Sequence, residues 1–187
     1  KGTIKAEIVL VVSNKFDAGG LKRAQKSGIE NIVLDNLRYA DRRSFDCALK
    51  SKLKKYNLDL IILAGFMRIL TSDFVEAFAG RILNIHPSLL PKYRGLHTHQ
   101  KALDAGDKNA GATVHFVTSE LDGGPSIIQA VVPILKNDTV DALARRILTK
   151  EHQIYPLAVK LFCEGRLSLI DEKAVYDSAV LPKNGLR

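Results

Sequence analysis

Tryptophan is absent from the 187 residues, methionine occurs once, and aromatic residues make up only 6%. A surface that stacks nucleobases needs aromatic faces, so nucleic acid is a poor fit as a partner. No apolar run approaches the roughly 20 residues that span a bilayer, which argues against a membrane protein. The start, Lys1-Gly2-Thr3-Ile4-Lys5, has neither the apolar stretch nor the small-residue cleavage site of a signal peptide. The two cysteines, Cys47 and Cys163, lie far apart and match no metal-ligand spacing. Both sit in helix-like stretches among apolar residues and are expected to be reduced core thiols of a cytoplasmic protein. No glycine-rich phosphate loop of the Gly-x-Gly-x-x-Gly or Walker kind occurs, and there is no internal repeat, low-complexity stretch or linker.

What is present is an ordinary globular composition, 46% hydrophobic and 26% charged, enough for one good core and, by length, one domain over residues 1–187. The net charge of +8 is scattered. Lys22-Arg23, the lysines at 50, 52, 54 and 55, and Arg145-Arg146 fall on separate expected helices and read as solvated faces. A small anionic substrate suits this charge.

Glu7 to Val12 is a β-branched apolar run and reads as a buried strand. A helix over about 18–27 ends at Gly28, and Ile32 to Leu34 form a short strand. Phe45, Leu49 and Leu53 recur every four residues, one apolar stripe of a helix over 42–55. Leu58 to Ala64 is a second apolar strand, 72–79 a short helix, and Ile82 to Ile85 a third strand. This alternation argues for an α/β fold, a three-layer, doubly wound, mostly parallel sheet. Ligands of such sheets collect at the carboxyl ends of the strands, which points to Gly65 to Arg68 and to Asn84 to His86. The rhythm then changes. Residues 87–99 read as a loop, and 112–118 and 126–134 as an antiparallel pair with a long connection. Asp138 is suited to cap a long helix over about 139–164. One or two short strands complete the antiparallel C-terminal part.

Asn84-Ile85-His86-Pro87 is the sharpest local feature. Positions two apart on a strand face one side, so an amide donor and an imidazole can address one point, as a carbonyl that becomes an oxyanion requires. Two hydrogen-bonded polar groups at a strand end would look the same. Asp122 precedes Gly123-Gly124, which allow a tight bend. A carboxylate there could favour a protonated His86, although an Asp in a turn is common. His115 alternates with Thr113 and Val117 and reads as a satisfied core histidine. His97 and His99, two histidines with no carboxylate pair beside them, make a poor metal site.

Taken together, Asn84 to Pro91, His115-Phe116-Val117 and Leu121 to Pro125 resemble the folate-dependent formyltransferases. Gly65 to Leu70, Lys92 to His99 and Glu151 to Pro156 add to the likeness, which runs over nearly the whole chain. These strings look like the branch that formylates glycinamide ribonucleotide in purine synthesis. The resemblance implies a Rossmann-like formyltransferase fold and 10-formyltetrahydrofolate as co-substrate, with no metal. It implies Asn84 on the formyl oxygen, His86 as proton donor and Asp122 as its electrostatic partner. By the same resemblance the folate would lie against Met67, Arg68, Ile69 and Leu70 and against Asn84. Arg42 and Arg68 would take its acidic tail, and Thr118, Ser119, Glu120, Leu121 and Asp122 would line its pterin. The nucleotide would meet Pro87 and the helical turn Leu148, Thr149, Lys150 and Glu151, with Glu151 accepting from ribose hydroxyls. The implied partners are small molecules, not nucleic acid or membrane, for a monomer or homodimer.

Two departures stand out. The family's first strand and a Gly-Ser-Asn phosphate loop are expected ahead of residue 1 and are missing from the sequence. Leu148 also occupies a place where a polar side chain could reach phosphate. The alternatives are a methionyl-tRNA formyltransferase catalytic domain, a formyltetrahydrofolate hydrolase and a non-catalytic folate-binding module. The joint presence of Asn84, His86 and Asp122 speaks against the last.

Overall fold

The computed structural model describes residues 4–187; Lys1-Gly2-Thr3 of the N-terminal stretch read above lie outside them. The chain divides into two compact units, Ala6–Asp59 and a larger one built on Leu60–Arg187.

In the first unit β1 (Val11–Ser13) pairs in parallel with β2 (Asn31–Val33). The connection is helix α1 (Gly19–Lys26), which packs on both strands. The strand expected over 7–12 is shorter and later than its apolar run. Pairing exists only opposite Asn31–Val33, and Ile8 and Val9 are exposed. Helix α2 (Arg42–Leu53) opens with a capping box. The Asp41 carboxylate accepts from the Ser44 amide at 2.7 Å, and the Ser44 hydroxyl accepts from the Asp41 amide at 3.2 Å. Its buried stripe is Phe45, Leu49 and Leu53, as the spacing of four requires. Cys47 is two residues, about 200°, away from Phe45 around that helix. It is exposed and Cys163 is half-buried, so neither is a core thiol.

The second unit contains a four-stranded sheet in the order β3-β4-β5-β6. β3 (Ile61–Leu63) and β4 (Ile82–His86) run parallel, with Leu63 opposite Asn84 and the short helix α3 (Ser72–Ala77) between them in sequence. β4 to β5 (Asn109–Phe116) and β5 to β6 (Ser126–Pro133) are antiparallel, with a register shift at Val114/His115. Parallel pairs early and antiparallel pairs late are what the pattern of apolar runs predicts. Helix α4 (Thr98–Asp104) falls partly in the expected loop 87–99. It buries only Thr98 and Ala102, too small an apolar stripe to stand out in the sequence.

Helix α5 (Val140–Cys163) packs on β5 and β6 through Leu143, Ile147, Ile154, Ala158 and Leu161. Its cap is Thr139, whose hydroxyl accepts from the Ala142 amide at 3.2 Å. The expected cap, Asp138, is engaged elsewhere. It accepts from the Leu135 amide at 2.8 Å and takes both ends of the Arg146 guanidinium at 2.7 Å each. The fully buried residues Leu83, Val114, Phe116, Ile127 and Leu143 lie at the centre of the core. A small antiparallel sheet, β7 (Leu167–Ile170), β8 (Lys173–Tyr176) and β9 (Ala179–Val180), follows α5. Among the described residues no helix is long and apolar enough to cross a membrane.

Candidate active site

β4 delivers Asn84 and His86 to the carboxyl end of the second unit's parallel strand pair, and β5 runs back beside them. The antiparallel register sets Asn84 opposite His115 and His86 opposite Thr113. The Asn84 amide nitrogen lies 3.2 Å from His115 Nε2. His115 Nδ1 lies 2.8 Å from the Phe116 carbonyl, which can only accept, so Nδ1 carries the ring hydrogen and Nε2 accepts from Asn84. Burial pushes the His115 pKa down, against the opposing pull of the Phe116 carbonyl and Asp122, which keeps the ring neutral in this role. With one amide hydrogen of Asn84 fixed on His115, the second is free to be aimed. The alternation of residues 113–117 does place His115 inside, but its partner is Asn84. The β4–β5 register that joins them cannot be read from either strand alone.

His86 is 6% exposed. Its Nε2 is 3.0 Å from the carbonyl of Tyr93 in the following loop. A carbonyl again forces that nitrogen to be the donor. Nδ1 then faces the Asp122 carboxylate at 3.5 Å. Asp122 sits in the β5–β6 connection at φ 47°, a left-handed conformation that Asp tolerates. Gly124 follows because a Cβ there would stand 1.9 Å from the Phe116 carbonyl oxygen. The Asp122 carboxylate accepts from the Gly95 amide at 2.8 Å and lies 3.8 Å from His115 Nε2. Asn84, His86, His115 and Asp122, up to 38 residues apart in number (122 − 84), thus form one cluster. Two backbone groups of the 88–97 loop, the Tyr93 carbonyl and the Gly95 amide, occupy its working atoms.

The remaining sequence-expected residues distribute as follows. The segment 64–70 leaves β3 directly beside Asn84, since Leu63 is its register partner. Met67 is 75% exposed and Ile69 46%, Arg68 is half-buried, and Leu70 is buried. Thr118 is half-buried; Ser119, Glu120 and Leu121 are exposed on the connection that carries Asp122, where Arg94 and Glu120 form an ion pair. Exposed Met67, Ile69 and Leu121 beside a buried polar cluster suit a ligand with a flat, largely apolar ring. Leu148 and Thr149 are exposed on α5, Lys150 and Glu151 half-buried. Burial raises the Glu151 pKa against a smaller lowering by His152. Pro87 follows His86 directly, and its carbonyl accepts from the Thr98 hydroxyl at 2.7 Å. Arg42 is the first residue of α2 in the N-terminal unit. Among the described residues no group of three or more His, Cys, Asp or Glu side chains converges to hold a metal ion.

The loop after His86 is fixed at its root. The buried Thr113 hydroxyl donates to the Ser88 carbonyl at 2.7 Å and accepts from the Leu90 amide at 3.1 Å. The Gln129 amide reaches the Leu90 carbonyl at 2.8 Å and Thr113 at 3.0 Å. A cavity of about 290 Å³ is lined by Pro87, Ser88, Tyr93, Thr98, His99 and Ile147 among others, but not by Asn84, His86 or Asp122.

Comparison with known proteins gives a consistent result. The family model described as formyl transferase matches residues 1–159. The phosphoribosylglycinamide formyltransferase of Escherichia coli strain K12 is 49% identical over 185 residues, 99% of this chain and 85% of that protein. The solved phosphoribosylglycinamide formyltransferase of Coxiella burnetii superposes with a TM-score of 0.93 at 43% identity, covering 98% of this chain and 87% of that one. The glycinamide ribonucleotide transformylase 1 of Symbiobacterium toebii superposes at 0.89 with 47% identity, over 92% and 82%.

Proposed function

Because this chain belongs to the formyl transferase family, we propose that it transfers the formyl group of 10-formyltetrahydrofolate to the primary amine of glycinamide ribonucleotide, a step of purine synthesis. Residues 1–187 serve this reaction as a single formyltransferase domain, as a monomer or homodimer in the cytoplasm acting on small molecules. The observation that carries the reading is the convergence of Asn84, His86 and Asp122, with the imidazole 3.5 Å from the carboxylate.

The co-substrate supplies an activated formyl carbon. Attack by the amine forms the new C–N bond and turns the formyl oxygen into an oxyanion. The Asn84 amide hydrogen not held by His115 and the Nε2–H of His86 are the donors for that charge. Asp122, 3.5 Å from the other ring nitrogen of His86, is the electrostatic partner of the imidazole. Breaking the bond to the folate nitrogen completes the transfer, with the proton of the amine passing to that nitrogen, through water held by Asp122. Nε2–H is engaged by the Tyr93 carbonyl, so on this mechanism the 88–97 loop is expected to release it. Met67, Ile69 and Leu121 offer the apolar surface for the pterin, with Arg68, Leu70 and residues 118–120 beside it. Glu151, whose pKa burial raises, and its neighbours Leu148, Thr149 and Lys150 face the nucleotide together with Pro87.

The test is a side-by-side assay of the purified protein with 10-formyltetrahydrofolate and three acceptors: glycinamide ribonucleotide, charged methionyl-tRNA and water. Formylation of glycinamide ribonucleotide is the expected result. Transfer to the tRNA, or hydrolysis without transfer, would replace the proposal.

A further inference from the structure

Tyr155 belongs to α5 and its hydroxyl lies 2.7 Å from the Leu63 carbonyl oxygen and 2.9 Å from the Leu83 carbonyl oxygen. One hydroxyl hydrogen is thus shared between the carboxyl-terminal rungs of two neighbouring parallel strands. Leu63 is the last residue of β3, paired with Asn84, and Leu83 immediately precedes Asn84 and pairs with Ile62. The segment 64–70 starts one residue beyond Leu63. Burial pushes the Tyr155 pKa far up, so the hydroxyl remains a donor at every working pH. Glu151 stands four residues earlier on the same helix face, about 6 Å along the axis at 1.5 Å per residue. A single side chain therefore touches the roots of Asn84 and of the 64–70 segment, and extends from the helix that carries the 148–151 turn.

From this geometry we infer that Tyr155 is a positioning residue: its hydroxyl fixes the carboxyl ends of β3 and β4 against each other and on α5, and so sets where the Asn84 amide points. It touches no reacting atom and acts through Asn84. The inference rests on the reading of Asn84 as an oxyanion donor. A small displacement of such a donor is costly because the hydrogen bond must meet the oxyanion and not the ground-state carbonyl. Both carbonyls also belong to laddered residue pairs, so Tyr155→Phe removes the bridge and leaves the sheet pairing in place.

The experiment is a double-mutant cycle on the intact chain with Asn84→Ala and Tyr155→Phe, kcat being normalised to active sites titrated with a tight-binding folate analogue. Tyr155→Phe is expected to lower kcat about tenfold, with KM for glycinamide ribonucleotide within about twofold of wild type, on the scale of one misaligned transition-state donor. The double mutant is expected to be no slower than Asn84→Ala alone. A loss through general loosening of the fold would instead multiply onto Asn84→Ala, and that outcome overturns the inference. So does Tyr155→Phe at the wild-type rate while Asn84→Ala is crippled, which leaves the proposed function standing. Near-normal turnover of Asn84→Ala would fell the reading of the site itself, and the positioning role with it.

Discussion

The imidazole of His86 is tied at one nitrogen to a carbonyl and faces a carboxylate at the other, and this fixes what its removal should do. His86→Ala is expected to lower turnover on the order of a hundredfold or more, the scale of an oxyanion or proton-transfer group. Folate affinity, which the proposal assigns to the apolar surface around Met67, is expected to change far less. Steady-state kinetics together with a direct binding measurement check this, and near-normal turnover would remove His86 from the reaction. Asp122→Asn keeps the shape and removes the charge. Its expected outcome is a lower rate with an altered dependence on pH, and a variant matching wild type in both would leave Asp122 with only its bond to the Gly95 amide. The sequence shows Asn84 and His86 together because strand residues two apart share a face. Asp122 is only a weak candidate until the resemblance supports it, since nothing local in Asp-Gly-Gly separates it from a turn. The role of His115 was hidden: its alternation marks burial, and only the pairing with β4 tells that the buried ring accepts from Asn84.

Whole elements were legible where one apolar stripe or run dominates, as in α2, α5 and the β5–β6 pair, and blurred where neighbours decide. The run from Ile8 to Val12 is apolar throughout, yet among the described residues its strand forms only opposite β2. At the start of α5 two adjacent residues, Asp138 and Thr139, both suit a cap. Thr139 takes that place because Asp138 is held by Arg146, nearly two turns into the helix. The guanidinium first, and the Leu135 amide next, lower the Asp138 pKa from 3.8 to about 2. A carboxyl depressed in the folded state adds stability above its unfolded pKa and loses it as pH falls through the folded value. Asp138→Asn is therefore expected to melt below wild type at neutral pH, with the gap in Tm closing between pH 4 and about 2. Thermal melts of both proteins across that range are the measurement. A gap that stays constant would mean that the ion pair contributes nothing specific to the charged form.

At the scale of the whole molecule, the loop after His86 runs from the strand that carries Asn84 and His86 to helix α4. From its Pro, Ser and Gly content the loop over 88–99 is expected to be mobile and to order when ligands bind. Its contacts divide that expectation in two. Leu90 is held by Thr113 and Gln129 within the buried sheet, and Thr98 ties the far end back to Pro87. Between them the Tyr93 carbonyl and the Gly95 amide meet His86 and Asp122, while the Tyr93 hydroxyl donates to Asp107 at 2.7 Å, and a cavity lined by Tyr93, Pro87 and His99 lies alongside. On the proposed mechanism the formyl oxygen and the Tyr93 carbonyl compete for one N–H. Residues 93–97 are therefore expected to take a second position, while Leu90 keeps a single one. Amide hydrogen exchange resolves the two segments. In the free protein the Gly95 amide is expected to exchange far faster than the Leu90 amide. Saturation with a folate analogue and glycinamide ribonucleotide is expected to change protection across 93–97 and leave Leu90 as it was. Equal, strong protection at Gly95 and Leu90, with and without ligands, would show a fixed loop and a His86 donor that never comes free, and the proposed role of that donor would fall.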